Sequence, residues 1–211
     1  VRPWLDLGRH LFSEDELQTL LDWQASLLQR PGIKPNWHPL VGSKVHGTGK
    51  DSFFAPMVRG LGTNVATIKT HDLEGQWTWW AENRQLVVVS EVNSFERRSV
   101  MNKLKSYMAA PPDTIEINKK GQPQFEVPNL FGMLMFTNNQ DAMAIDNHDR
   151  RFYVVWSNAG KRDPDVYARY HEWLEGEGAM QVVRYLLARD VSAFNPKGNA
   201  PHTQAKEDMR R

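Results

Sequence analysis

The chain has no cysteine among its 211 residues, which excludes disulfides and thiolate metal sites and leaves the redox compartment open. No apolar run approaches the ~20 residues a membrane-crossing helix needs, so no membrane partner is expected. A dominant charge is missing too. Twenty-six Lys and Arg face 25 Asp and Glu, a net charge of +1. Affinity for nucleic acid would therefore need a local basic patch rather than a global field. The sequence opens Val1-Arg2-Pro3-Trp4, with neither an initiator Met nor a signal-peptide pattern, and reads as a domain of a longer cytosolic polypeptide.

What is present favours a folded domain: 40% of residues are apolar, 24% charged and 10% aromatic. The stretch from Phe12 carries a capping box, Ser13 with Glu16, ahead of a stripe of Leu17, Leu20, Leu21, Leu27 and Leu28, and predicts a helix that Pro31-Gly32 ends. WHPLVG predicts a strand beginning at Leu40 or bent there, because Pro39 cannot donate to a ladder. KDSFFAPMVRGL predicts a helix, NVATIK a strand, and LEGQWTWWAE a helix with Trp77 and Trp80 on one face. QLVVVSEV and LFGMLMFTNN are continuous apolar runs of the kind buried on both faces of a sheet. Between them come a basic helix, FERRSVMNKLKSYMAA, and a hairpin, DTIEINKKGQPQFEVPN, turning at a glycine. RRFYVVW predicts a last strand, closing helices are interrupted near Gly176 and Gly178, and the tail from Asn195 is polar and expected to be loose. Alternating strands and helices imply an α/β sandwich with a mostly parallel sheet and helices on both faces.

One stretch carries chemistry: HGTGKDS, residues 46–52. Between a strand and a helix, Gly47 and Gly49 let backbone N–H groups approach an anion, and Lys50 supplies a neutralising charge. Thr48, Asp51 and Ser52 complete the loop, with Ser52 able to offer a hydroxyl to a metal. Lys44 stands where a phosphate-binding loop has its first glycine. The same letters also fit an ordinary strand-to-helix turn. Glu91 follows a buried strand and suits polarisation of a water or a metal; Ser90 stands where a second acid is expected. Asn138 ends another strand and could bond a phosphate. Arg150 and Arg151 precede the last strand, where an arginine could reach across a subunit boundary. Taken separately, Glu91 fits a surface residue, Asn138 a turn and either arginine a salt bridge with Asp149. Together the signals run in order and are expected at the C-terminal edge of the sheet, where ligands of open α/β sheets gather. DNHD, with Asp146, His148 and Asp149, lacks a second cluster to make a metal site. The tryptophans at 77, 79 and 80 fit packing better than base stacking.

HGTGKDS, LVVVSEV, LKSYMAAPPDTIEINKKGQPQFEVPN, MFTNN and DRRFYVV resemble, in order, the motifs of superfamily 3 helicases, in the phage and plasmid primase-helicase branch related to the poxvirus primase-helicase. The resemblance covers roughly positions 35 to 160. It implies an AAA+-like P-loop NTPase core with an inserted hairpin, flanked by an N-terminal helical segment (1–34) and a C-terminal helical segment with a polar tail (161–211). It further implies an ATP-dependent DNA helicase acting in phage, prophage or plasmid replication, an ATP hydrolase working as a ring, usually a hexamer, on single-stranded DNA. A fused primase-type domain and a cytoplasmic location, the host cytoplasm if phage-encoded, follow from it. By motif position, Gly47, Thr48, Gly49, Lys50, Asp51 and Ser52 would hold ATP, Ser52 and Glu91 the Mg2+. Lys50, Glu91, Asn138 and Arg150 or Arg151 would be catalytic, and Lys119 and Lys120 on the hairpin would grip DNA. Ser90 and Lys44 favour an alternative, a non-hydrolysing ATP-binding module for DNA binding or oligomerisation.

Overall fold

The computed structural model describes residues 1–92, 98–109, 111, 113–141, 145–146 and 149–209. Residues 95–97 of the expected basic helix, and His148, lie outside the described residues. Two helices open the chain, α1 (Arg2–Leu11) and α2 (Glu14–Gln29). The capping box forms: Glu16 N–H donates to Ser13 Oγ and Ser13 N–H to Glu16 Oε2, at 3.4 and 3.0 Å. Then follow β1 (His38–Ser43), α3 (Lys50–Leu61), β2 (Val65–Lys69), α4 (Thr70–Glu74), β3 (Leu86–Ser90) and α5 (Arg98–Met108). A hairpin, β4 (Thr114–Ile117) and β5 (Phe125–Pro128), precedes β6 (Gly132–Thr137) and β7 (Phe152–Ser157). The chain closes with α6 (Pro164–Trp173), α7 (Ala179–Ala188) and α8 (Gln204–Asp208).

The sheet has five parallel strands in the order β2-β3-β6-β1-β7, and the hairpin is a separate antiparallel pair. Period-two alternation splits the apolar runs between two cores. Val41, Leu86, Val88, Leu134, Phe136, Tyr153 and Val155 face α1, α2, α3 and α7. Leu40, Val87, Val89, Met133, Met135, Phe152 and Val154 face the other way, against α5, the hairpin and Met209. The coarse expectation, a parallel α/β sandwich with helices on both faces, holds; the structure does not by itself establish an AAA+ core.

Four local expectations need correction. Pro39 lies inside β1, but β1 pairs with β6 only from Leu40 onward, so the missing N–H falls where that ladder has not begun. The predicted helix over 73–82 stops at Glu74; the chain then bends, and only Trp79–Ala81 form a further turn. Trp80 is buried while Trp77 and Trp79 are exposed, so tertiary contacts override the helical spacing. The tail is docked rather than loose: Ala200 N–H donates to Arg150 O (2.9 Å), Thr203 Oγ1 to Val154 O (2.6 Å), and Lys206 Nζ to Asp149 O (2.6 Å). It covers the exposed edge of β7, which would otherwise leave backbone groups unpaired. Finally, Arg150 and Arg151 precede β7 and so lie at the N-terminal edge of the parallel sheet, not with Lys50 at its C-terminal edge.

Two buried polar groups tie the layers together. Lys34 Nζ donates to Tyr107 O, Asn129 Oδ1 and Phe131 O at 2.6, 2.8 and 2.7 Å. His38 Nδ1 accepts from Met133 N–H (3.0 Å), so Nε2 donates to Met108 O (3.2 Å) and the ring is neutral. Burial, with the Lys34 charge nearby, pushes the His38 pKa well below its ordinary value.

Candidate functional site

Because all five strands run the same way, their C-terminal ends share one edge, and the loop after β1 rises there into α3. Gly47 and Gly49 take left-handed backbone, φ +72° and +97°, which other residues adopt only with strain. A Cβ on Gly49 would also lie 3.0 Å from Leu7 Cδ1 and 3.3 Å from Tyr167 Cε1. Gly49 is the N-cap of α3 and makes no side-chain cap bond to the leading N–H groups, which at a helix N-terminus are the groups that meet an anion. The loop is braced from α6: the Tyr167 hydroxyl donates to Thr48 O (3.0 Å) and the Tyr170 hydroxyl to Ser52 O (2.8 Å).

Lys50 is only 5% exposed, and its ammonium donates to Asn138 Oδ1 at 2.6 Å. Desolvation lowers its pKa, with Asp51 acting in the opposite direction. The Asp51 carboxyl is raised, by desolvation first and by Glu91 as well, while Lys50 lowers it. Glu91 has φ +58°, a strained conformation for a residue with a side chain. Its neighbours hold it: Thr70 Oγ1 donates to Glu91 O (3.2 Å), Val92 N–H to Phe136 O (2.8 Å), and Thr137 Oγ1 to Val92 O (2.6 Å). Ser90 turns its hydroxyl onto Ile68 O (3.2 Å), toward β2.

The structure thus brings the loop 46–52, Asn138 and Glu91 to one edge. Arg150 and Arg151 sit roughly a strand length away, ~20 Å, and do not join that site within one copy. They also differ from each other. Arg151 lies 3.7 Å from the buried carboxylate of Asp149, which Lys105 also approaches at 3.2 Å. Arg150 is exposed. The hairpin lysines differ likewise: Lys119 pairs with Glu82 and lies 5.5 Å over the Phe125 ring, whereas Lys120 is exposed. Of the two lysines expected to meet DNA, Lys119 is thus engaged within the protein and Lys120 is the one open to solvent.

Two features escaped the sequence. Lys161, after β7, runs beside the loop; a Cβ on Gly47 would lie 3.5 Å from its Cε. A cavity of about 310 Å³, lined in part by Arg2, Leu7, Arg162, Tyr167 and Arg169, shares the Leu7–Tyr167 wall with Gly49. Its lining comes from opposite ends of the chain, so no local pattern marks it. Among the described residues, no group of three or more His, Asp and Glu forms a metal cluster, and no helix is long and apolar enough to cross a membrane.

Residues 41–151 match DUF5906, a family of unknown function, and the chain belongs to that family. Over 116 residues it is 28% identical to the DNA primase-polymerase of Nitratiruptor phage NrS-1, which is 53% of this chain and 16% of that protein. Two solved apo structures of the NrS-1 C-terminal region superpose with a TM-score of 0.82, at 20% and 19% identity, covering 99% of this chain and 50% of theirs. At that identity the superposition establishes a shared fold. The chain spans about half the length of the solved structures it matches and a smaller share of the curated relative.

These likenesses correct the functional expectation. The relative is named a DNA primase-polymerase and not an ATP-dependent helicase; the helicase, ATP-hydrolase and AAA+ P-loop assignments are overturned. The physical reason is that a glycine–lysine loop and a lysine-tipped hairpin report anion recognition. Replication proteins of different chemistry share that need, so motif order did not separate them.

Proposed function

We propose that this domain binds a nucleoside triphosphate, ATP in the first instance, together with Mg2+, and serves a DNA replication protein of the primase-polymerase kind. The observation that carries the reading is the Lys50 ammonium, on a side chain largely withdrawn from water and bonded, among the described residues, only to Asn138, at the mouth of a left-handed glycine loop. A desolvated cation beside open helix N–H groups is favourable chiefly where an anion arrives. Thr48 Oγ1 is a second sign of fit, being buried with no partner among the described residues.

In this reading the amides around Gly47 and Gly49 receive the phosphates, and Lys50 and Lys161 neutralise them. Asn138 orients Lys50 and can turn its amide to a terminal phosphate oxygen. The Ser52 hydroxyl and the carboxylates of Asp51 and Glu91 suit a hard divalent cation, which would neutralise phosphate charge when bound. Single-stranded DNA is the proposed polymeric partner, with Lys120 the exposed tip charge. The remainder of the polypeptide would carry a primase-type domain, and Arg150 would be available to a second copy in an oligomer.

Calorimetric titration with ATP and Mg2+ tests the site. Saturable binding by the unchanged chain, lost in Lys50→Met, is expected. An unchanged chain that fails to bind, or a variant that binds equally well, would refute the reading.

A further inference from the structure

We propose that Trp77 and Trp79 form a base-stacking platform for single-stranded nucleic acid beside the hairpin tip. After α4 the chain is strapped to the hairpin. Thr78 N–H donates to Asn118 O (3.0 Å), Thr78 Oγ1 to Glu116 O (3.1 Å), Asn118 N–H to Thr78 Oγ1 (2.8 Å), and Asn118 Nδ2 to Gln76 O (3.0 Å). Trp80 anchors the strap, buried against Tyr107 and Phe131 at ring distances of 5.1 and 6.3 Å. The residues flanking Thr78 are turned outward: Trp77 is 37% exposed and Trp79 54%.

Both indoles keep apolar surface in contact with water on a fixed strap, Trp79 more than Trp77, and that surface is available to a partner. The surroundings select its chemistry. Beside the strap lies a groove of about 440 Å³ lined by Gln76, Thr78, Lys103, Ser106, Asn118 and Gln124 among others. Thr78, Asn118, Ser106 and Lys103 already bond within the protein, and an apolar protein surface would take the amides of Gln76 and Gln124 from water without offering them partners. A nucleotide strand offers ring faces to the indoles, base edges to the amides and phosphates to Lys120. Glu116, which also lines the groove, faces Glu126 across the hairpin strands; these carboxylates repel phosphates, leaving the groove to base edges and the phosphates to Lys120 at the tip.

The proposal rests on the DNA-binding part of the function above and not on the triphosphate site. Anisotropy of a labelled oligothymidylate of about 20 nucleotides reads it directly. Trp77→Ala and Trp79→Ala should each weaken binding about 5- to 100-fold, while Trp79→Phe keeps most of the affinity. The tryptophan variants should keep the salt slope, and Lys120→Ala should reduce it by about one. The stacking role falls if the unchanged chain does not bind the oligonucleotide, or if the double tryptophan variant binds within about twofold of it. It falls equally if the variants change only the mass of the particle in solution, which marks a protein interface. Loss of ATP binding in a separate titration would sink the triphosphate site alone.

Discussion

Replacing Lys50 with Met should separate ligand affinity from stability. In the free domain, Lys50 is 5% exposed and makes one hydrogen bond among the described residues, to Asn138. Such a charged bond contributes about 1.5–3 kcal/mol, whereas desolvating an ammonium costs several. The lowered pKa of Lys50 says that desolvation outweighs its neighbours' help. A methionine of similar length removes both terms, and the half-buried Asn138 can turn to water. The free variant should therefore melt at the parent's temperature or above it. With ATP at about 100 times Kd, the parent should gain about 2.7 kcal/mol. For a domain of this size that is a rise of about 5–11 °C. Losing the ammonium's contact with phosphate weakens binding about 10- to 150-fold. The same ATP concentration then adds at most about 1.4 kcal/mol to the variant. Thermal melting with and without Mg-ATP measures all four states. An undiminished shift in the variant would refute the phosphate role, and a free variant melting well below the parent would refute the desolvation argument.

Acid should destabilise the domain through His38. Its folded pKa is pushed well below 6.5 by burial, so below about pH 6.5 the unfolded chain takes up a proton that the folded one does not. Stability should fall by up to about 1.4 kcal/mol per pH unit as pH drops from 6.5, and His38→Gln should flatten that slope in urea titrations. Thr203→Val removes both the cap on Lys206 N–H (3.2 Å) and the bond to Val154 O (2.6 Å). It should cost about 1–3 kcal/mol and hasten proteolysis of the tail. Arg151→Ala, beside the buried Asp149, should cost about 1 kcal/mol, while Arg150→Ala leaves the urea midpoint unchanged.

How far the site could be read from the chain varied with how local its causes are. The helix from Lys50 to Leu61, the capping box at Ser13 and the strands 86–90 and 132–137 follow from patterns within a few residues. The strap at 75–80 does not, because hydrogen bonds to Asn118, far along the chain, decide its path against the helical spacing of its tryptophans. The docked tail is similar, since its partners Asp149, Arg150 and Val154 lie about fifty residues earlier.

The sequence by itself determined the parallel α/β class, through apolar runs too continuous for a half-wet sheet. It also allowed the conformation of the loop at 46–52, because glycines at 47 and 49 permit left-handed backbone, which bonds from Tyr167 and Tyr170 then brace. Only the tertiary structure decided which residues meet there. Strand order places β6 between β3 and β1, so Asn138 reaches Lys50, while strand direction sends Arg150 and Arg151 to the far edge. Local propensity sets what a segment can form; the order and direction of strands, settled by burying both sheet faces at once, set which side chains share an edge.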